Sequence, residues 1–141
     1  MTGHNPDANK IRHASCSCGQ LSVACEGEPM RISVCHCLNC KRRSGSAFAA
    51  QARFPITNVI ISGEARTFEI TGDSGNVAEF HFCGTCGATV YYFSRPHHDL
   101  IAIPIGAFAD PQFPSPHYSV YNDRMHKWVA IVGDDIERLD D

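Results

Sequence analysis

Seven of the eight cysteines in this chain are grouped into three short motifs, and this grouping constrains the fold more than any other feature. The motifs read C-S-C-G at 16–19, C-H-C-L-N-C at 35–40 and C-G-T-C-G at 83–87. In a reducing compartment, clustered thiols are more often metal ligands or nucleophiles than disulfides. We therefore expect the chain to fold around bound metal. The eighth cysteine, Cys25, falls on an inward position of a predicted strand and is expected to be a small buried core residue.

The motif at 83–87 predicts half of a structural zinc site. A C-x-x-C-G turn, in which the glycine permits a positive φ, brings two thiolates onto one ion. A structural zinc takes four ligands, and two more thiols on one side of an extended segment near the N-terminus supply the second pair. The spacing therefore predicts a closed zinc site that joins the N-terminal strand to the middle of the fold. Its ligands are Cys16, Cys18, Cys83 and Cys86.

Cys35, Cys37 and Cys40 predict a second site of a different kind. Three ligands without an obvious fourth are the donor set of an open, catalytic zinc, where water or a substrate atom completes the tetrahedron. In an extended segment Cys35 and Cys37 share one face, and His36 points the other way. The basic run Lys41-Arg42-Arg43 follows directly. It can offset the net negative charge of three thiolates on a divalent ion, or meet an anionic substrate.

Three other uses of these cysteines remain open from the sequence. A distant histidine such as His81 or His117 would close the second site and make it structural. An iron–sulfur cluster is less favoured, because neither ferredoxin spacing is present. A redox dithiol at Cys37 and Cys40 lacks the βαβ context that is typical of thioredoxin-like motifs.

The composition favours a single globular domain and excludes several other classes of protein. With 141 residues, of which 43% are hydrophobic and 19% charged, the chain suits one domain with a buried core. Its formal charge of −3 argues against a nucleic-acid surface, which needs clustered Lys and Arg. Residues 1–10 are polar, unlike a signal peptide, and no stretch approaches the roughly 18 apolar residues of a membrane span. We therefore expect a cytoplasmic protein that binds neither nucleic acid nor membrane.

Short alternating runs rich in β-branched and aromatic residues predict one mostly β domain over residues 12–141, after a flexible tail at 1–11. No dozen residues keep an apolar stripe at helical spacing, so helices are expected to be single turns, the best being Leu38–Arg43. Exposed strand edges are compatible with a homodimer. The predicted strands are 20–25, 31–35, 46–54, 59–62, 66–70, 77–82, 88–93, 100–103 and 118–121.

The order of the cysteine motifs resembles the glutathione-dependent formaldehyde-activating enzyme family, whose domain is shared with centromere-protein-V-like proteins. The resemblance covers nearly the whole chain, from about Cys16 to Val129. Besides the cysteines, it is carried by the segments S-G-S-A-F at 44–48, I-P-I-G-A-F at 103–108 and S-V-Y-N-D-R-M-H-K-W at 119–128.

The resemblance implies a zinc-stabilised β-tent fold, built from several small antiparallel sheets with short helical turns. It also implies two zinc ions per chain, a structural one on the four-cysteine set and an exchangeable catalytic one on Cys35, Cys37 and Cys40. The implied activity is that of a carbon–sulfur lyase, in which glutathione or a similar small thiol joins formaldehyde to give S-hydroxymethylglutathione, or is released from it. The alternative, suggested by the centromere-protein-V branch, is a non-enzymatic zinc-stabilised protein-binding module.

Four residues are candidates for holding the substrate, and a fifth is a candidate for the mouth of the pocket. Arg42, Arg43 and Arg124 can grip the carboxylates of a glutathione-like ligand, because a guanidinium matches a carboxylate bidentately. Trp128, the one tryptophan of the chain, is a candidate for the mouth of the pocket, together with Tyr121. Zinc in an open site would hold the substrate sulfur as a thiolate at neutral pH, which suits both the addition to an aldehyde and its reversal.

Overall fold

The computed structural model describes residues 10–95 and 97–141, a range that contains eleven strands, one α-helix and three short 3-10 turns. Residues 1–9, most of the predicted tail, lie outside the described residues, and the first strand begins at Ile11. The helix is α1 (Leu38–Ser44), and the 3-10 turns are Ile56–Asn58, Ile105–Phe108 and Asn122–Arg124. The strands are β1 (Ile11–Ser15), β2 (Ser22–Glu26), β3 (Arg31–Cys35), β4 (Ala49–Pro55), β5 (Val59–Ser62), β6 (Ala65–Thr71), β7 (Val77–Cys83), β8 (Thr89–Ser94), β9 (His97–Pro104), β10 (Tyr118–Val120) and β11 (Glu137–Arg138).

These strands form two sheets. Three of them make an antiparallel sheet in the order β1-β2-β5. The other eight are ordered β11-β10-β3-β4-β9-β8-β7-β6, and the pairs from β3 to β6 are all antiparallel. Strand β10 runs parallel to both of its neighbours, β3 and β11. The prediction of a mostly β domain with a short helix is confirmed.

Alternation along β3 and β4 gives the large sheet two chemically different faces. One face is apolar: Ile32, Ala52 and Phe54 are fully buried in a core cluster. That cluster also contains residues of the small sheet, among them Cys25, which is 0% exposed and confirms its predicted core position. The intervening residues face the opposite way and are mostly polar: Arg31, Ser33, Cys35, Gln51 and Arg53. The core therefore fixes which side chains the sheet presents on its other face.

Helix α1 begins inside the second cysteine motif. The Sγ atom of Cys37 caps it by accepting a hydrogen bond from the backbone N–H of Cys40 at 3.3 Å. The helix ends at Gly45, whose φ of 69° lies in the left-handed region and lets its N–H bond the carbonyl of Lys41 at 2.9 Å. Three basic residues in the last turn suit the negative end of the helix dipole. Local sequence alone thus holds Cys37 and Cys40 one helical turn apart.

Nine of the eleven strands overlap predicted ones, whereas β1 and β11 were not predicted. None of the helices in the described ranges has the length and apolarity needed to span a bilayer.

Candidate metal centres and the adjoining cleft

The first centre is a cluster of four thiols drawn from two distant turns. Cys16 and Cys18 lie in the turn between β1 and β2, Cys83 is the last residue of β7, and Cys86 lies in the turn that follows it. Their four Sγ atoms are all within 4.8 Å of one another, and Cys18 Sγ is 3.6 Å from both Cys16 Sγ and Cys83 Sγ. A tetrahedron with Zn–S bonds of about 2.3 Å has an edge of about 3.8 Å. The donor chemistry and spacing therefore fit a structural zinc ion.

Hydrogen-bond donors surround the sulfurs of this cluster. The side-chain amide of Gln20 donates to Cys83 Sγ at 3.1 Å, and the backbone N–H of Leu21 donates to Cys16 Sγ at 3.3 Å. The backbone N–H of Cys86, together with the Gln20 amide, lowers the pKa of the Cys83 thiol to about 5. The turn thus favours the thiolate form that a metal needs. Gln20 was missed from the sequence, although its place directly after C-S-C-G was a usable signal.

The second centre consists of Cys35, Cys37 and Cys40, whose Sγ atoms also lie within 4.8 Å of one another. Cys35 ends β3 and is buried, while Cys37 and Cys40 are half-buried at the start of α1. A hydrogen bond from the Cys40 thiol lowers the pKa of Cys35 to about 6, and the same contact raises the pKa of Cys40. Neighbouring thiols therefore already stabilise one thiolate. Three sulfurs at this spacing fit a zinc ion with one position left for another ligand.

No histidine in the described ranges joins either cluster. The imidazole of His36 is fully buried and meets the Ser119 hydroxyl at 3.0 Å, so it points away from the cysteines, as predicted. His117 accepts a hydrogen bond from the backbone N–H of Ile32 through Nδ1, at 3.2 Å. His81 stacks on Tyr91 with ring centroids 4.5 Å apart. These placements do not support a second site closed by His81 or His117.

The three-cysteine cluster opens into a cleft of about 530 Å³. Its floor is the polar face of the large sheet, and α1, the β6–β7 turn and Tyr121 form its sides. One cross-strand row runs through Arg53, Ala102, Tyr92 and Phe80. Apart from the cysteines, its lining residues with polar, charged or aromatic side chains are Arg31, Ser33, Asn39, Arg43, Gln51, Arg53, Asp73, Ser74, Asn76, Phe80, Tyr92, Ser94 and Tyr121.

Two arginines that the sequence reasoning did not single out lie on the floor of this cleft. Arg31 packs its guanidinium 4.1 Å from the centroid of the Tyr118 ring, and Arg53 donates to the Ser33 hydroxyl at 3.3 Å. They are directly opposite each other in the β3–β4 register. Alternation was the available signal, because Arg31 shares the face of Cys35 on a strand that was predicted with the right bounds.

The four predicted substrate-binding residues are not brought together. Arg43 lines the cleft, with its guanidinium 4.7 Å from the ring centroid of Phe80. Arg42 is exposed on α1, and Trp128 is 75% exposed. Arg124 forms an ion pair of 2.7 Å with Asp73 across the rim. Of the four, only Arg43 is among the residues that line the cleft.

Fold and site together define a class of protein: a mostly β domain that carries two cysteine clusters able to hold metal ions, one of which opens into a ligand-sized cleft. The family model of the glutathione-dependent formaldehyde-activating enzyme matches residues 11–124, which is well over half of the chain. The chain belongs to this family.

A crystal structure of a Rhodobacter sphaeroides protein has a similar fold, with a TM-score of 0.52. That protein is 20% identical in sequence, and the match covers 67% of this chain and 85% of that chain. Comparison with curated proteins finds no match.

Proposed function

We propose that this protein is a zinc-dependent carbon–sulfur lyase that acts on glutathione, or a similar small thiol, and its formaldehyde adduct of the S-hydroxymethylglutathione type. The observation that carries the proposal is the cluster of Cys35, Cys37 and Cys40, which has three sulfur donors and opens into the cleft. Family membership supports the same chemistry. The four-cysteine cluster has the donor set of a structural ion and is assigned no part in the reaction.

In the cleavage direction, the carbon–sulfur bond of the adduct breaks and its electron pair stays on sulfur. The hydroxyl proton passes to solvent water, and the electron pair of the O–H bond forms the second bond of the formaldehyde carbonyl. When bound, zinc would supply a positive centre that stabilises the departing thiolate. The protein supplies the three thiolates of Cys35, Cys37 and Cys40 and a walled cleft that orients the adduct beside them.

Tyr92 is the residue that we assign to the adduct oxygen. It lines the same cleft as Cys35 and Cys40. A tyrosine hydroxyl is protonated at neutral pH, and burial raises the pKa of Tyr92 further above its usual range, so the group serves as a hydrogen-bond donor. A donor at that position stabilises negative charge on the oxygen as the adduct forms or breaks.

The test is the rate of formaldehyde release from S-hydroxymethylglutathione by the zinc-loaded protein and by a Cys37→Ser variant. Serine keeps the helix cap, because it is itself a preferred N-cap residue, but it removes one sulfur ligand. We expect loss of turnover in this variant and full turnover in the control Cys25→Ala, which removes a thiol that lies in the core. Unchanged turnover in Cys37→Ser would refute the proposal.

Zinc content separates this proposal from a non-enzymatic binding module. Elemental mass spectrometry on the wild type should find about two zinc ions per chain, falling to about one after dialysis against a mild chelator, with the fold intact. A single resistant ion from the start, with no turnover, would favour the module.

The free thiols in both clusters also suit the expected reducing cytoplasm, and the homodimer stays a prediction.

A further inference from the structure

His36 lies between Cys35 and Cys37, and its fully buried imidazole begins a chain of three polar side chains. The Ser119 hydroxyl has one hydrogen, and it donates this hydrogen to the side-chain oxygen of Asn122 at 2.7 Å. Towards His36 the same oxygen can therefore only accept, so Nε2 of the imidazole carries a hydrogen and donates it at 3.0 Å. The hydrogen bonds thus run in one direction, from His36 through Ser119 to Asn122.

Packing alone does not account for an imidazole at this position. The other ring nitrogen, Nδ1, is buried and has no hydrogen-bond partner among the described residues. A buried polar atom without a partner costs stability, and an apolar side chain such as leucine would fill the same space without that cost. What the imidazole of His36 adds to the molecule is the hydrogen bond from Nε2 to Ser119.

The backbone of His36 is bonded to the same strand as its side chain. Its N–H donates to the carbonyl of Val120 at 3.1 Å, at the point where Cys35 and Val120 are opposite each other in the parallel β3–β10 pair. Residue 36 is therefore held to β10 through both its main chain and its imidazole. Because Cys35 and Cys37 are its direct neighbours, a movement of this segment that separates their sulfurs must break these bonds.

The far end of the chain lies in the turn that carries Tyr121 at the side of the cleft. Tyr121 has a φ of 54°, a left-handed conformation that is costly for a residue other than glycine. Asn122 follows it directly, and its side chain accepts from Ser119. The ammonium of Lys41, on α1, donates to the carbonyl of Arg124 in the same turn. This turn is therefore tied to both sides of the second cysteine motif, through the imidazole and through α1.

We propose that His36, Ser119 and Asn122 form a positioning network for the three-cysteine cluster. The network holds the segment of Cys35 and Cys37 in the arrangement that receives an ion, and it slows the loss of that ion. An ion leaves only when its sulfur ligands move apart, and hydrogen bonds that fix the ligand segment oppose this movement. The inference goes beyond the proposed function, because it concerns how the ion is held and requires nothing of the reaction.

The test is the rate at which a chromophoric chelator removes zinc from the zinc-loaded full chain. The kinetic phase that belongs to the three-cysteine cluster is identified by its absence in Cys37→Ser. Ser119→Ala removes one oxygen atom and interrupts the network at its centre. We expect this variant to lose the ion about tenfold faster than the wild type, because the buried Nε2–H of His36 is left without an acceptor.

Two substitutions of His36 separate hydrogen bonding from packing. Leucine fills the space but cannot donate, whereas the side-chain amide of glutamine can donate from a position close to that of Nε2. We expect His36→Leu to accelerate the loss of zinc about tenfold and His36→Gln to stay within about threefold of the wild type.

Co²⁺ bound at the three-cysteine cluster gives a second readout, because its thiolate charge-transfer and d–d absorption bands report the geometry of the sulfur ligands. These bands should differ from those of the wild type in Ser119→Ala and His36→Leu, and they should match the wild type in His36→Gln. A residue that contributed only to overall stability would leave the bands of the folded protein unchanged.

His117→Ala is the matched control. It removes another hydrogen bond at the junction of β3 and β10, the one that Ile32 N–H donates to Nδ1 of His117 at 3.2 Å, and His117 is exposed and outside the network. This variant should keep the zinc-loss rate and the Co²⁺ spectrum of the wild type, even if its melting temperature falls.

Four results would each overturn the positioning network. They are wild-type rates of zinc loss in Ser119→Ala and His36→Leu, an equal acceleration in His117→Ala, the same acceleration in His36→Gln as in His36→Leu, and a wild type that binds no ion at the three-cysteine cluster. Circular dichroism identifies any variant that does not fold. Asn122→Ala, at a half-buried position, then interrupts the network in its place and is expected to accelerate zinc loss in the same direction.

Turnover of S-hydroxymethylglutathione by the same preparations tests the lyase separately. Faster zinc loss in the network variants of a protein without any turnover refutes the lyase and leaves the network standing. Turnover by the wild type, with unchanged zinc loss in the network variants, refutes the network and leaves the lyase standing.

Discussion

At the scale of single residues, Gln20 connects three parts of the molecule. Its amide donates to Cys83 Sγ at 3.1 Å and to the carbonyl of Glu64 at 2.7 Å, and its side-chain oxygen accepts from the Glu64 N–H at 3.1 Å. One side chain therefore orients a thiol of the four-cysteine cluster and joins the first cysteine turn to the loop before β6. Such supporting hydrogen bonds hold a ligand ready for the ion.

We expect Gln20→Ala to weaken zinc retention at the four-cysteine cluster by about tenfold or more, because partners of metal ligands contribute that much to affinity. Competition with a chromophoric chelator measures the effect. Gln112→Ala is the control, since Gln112 is exposed and its side chain makes no hydrogen bond within the described ranges. Equal zinc retention in the two variants would show that Gln20 does not support the site.

At the scale of elements, the turn before β6 is packed against the first cysteine turn. Gly63 has a φ of +97°, and a Cβ atom built on it would lie 1.8 Å from the carbonyl oxygen of Gln20. Gly75, in the β6–β7 turn, has a similar φ of +87° but nothing within 4 Å of such a Cβ. Alanine variants at the two positions therefore separate the cost of a left-handed backbone from the cost of a steric clash.

Gly75→Ala should cost about 1–2 kcal/mol of unfolding free energy, the ordinary cost of a left-handed conformation for alanine. Gly63→Ala should cost about 4 kcal/mol or more, because the backbone of the cysteine turn must also move. Chemical denaturation of both variants measures the difference. Equal losses of unfolding free energy would mean that the first cysteine turn moves away from the added methyl group at little cost.

Elements with regular alternation were predictable from the sequence, and elements that depend on partners were not. β3 was predicted with its observed bounds, since its apolar and polar positions alternate cleanly. β1 was missed because one of its two buried positions is Arg12, whose guanidinium bonds the Gly27 carbonyl and pairs with Glu28. β11 has two residues and exists only by pairing with β10.

The candidate site likewise contains residues that the sequence predicts and residues that it does not. Cysteine ligands at short spacing can be recognised without a structure, because the motif itself brings the sulfurs together. The opposition of Arg31 and Arg53 depends on the β3–β4 register, which no local pattern contains. The pairing of Arg124 with Asp73 across 51 residues was equally beyond reach, and it decides that Arg124 is not free for a ligand.

At the scale of the whole molecule, an ion in one cysteine cluster would stabilise the fold much more than an ion in the other. The four-cysteine cluster joins a turn of the small sheet to a turn of the large one. The three-cysteine cluster joins only the end of β3 to the first turn of α1. An ion in the first therefore holds two sheets together, and an ion in the second holds neighbours that are already adjacent.

We expect Cys83→Ser to lower the melting temperature of the zinc-loaded protein by about 10 °C or more, because loss of a structural metal costs several kcal/mol. Cys37→Ser should change it by only about 2 °C, since serine preserves the helix cap. Each variant should lose about one zinc ion per chain. Thermal unfolding followed by circular dichroism measures the two changes in melting temperature. A similar fall in both variants would contradict the expectation that the four-cysteine cluster stabilises the fold more.

The separation of the clustered cysteines along the chain has a consequence for the order in which the two clusters would bind metal. Cys18 and Cys83 are 65 residues apart, whereas Cys35 and Cys40 are five apart. Closing the longer loop in an unstructured chain costs about 2 kcal/mol more than closing the shorter one. The local motif can thus capture an ion before the domain has folded, while the distant set can do so only once both sheets are in place. We therefore expect the three-cysteine cluster to bind zinc earlier during synthesis than the four-cysteine cluster, which is complete only in the folded domain.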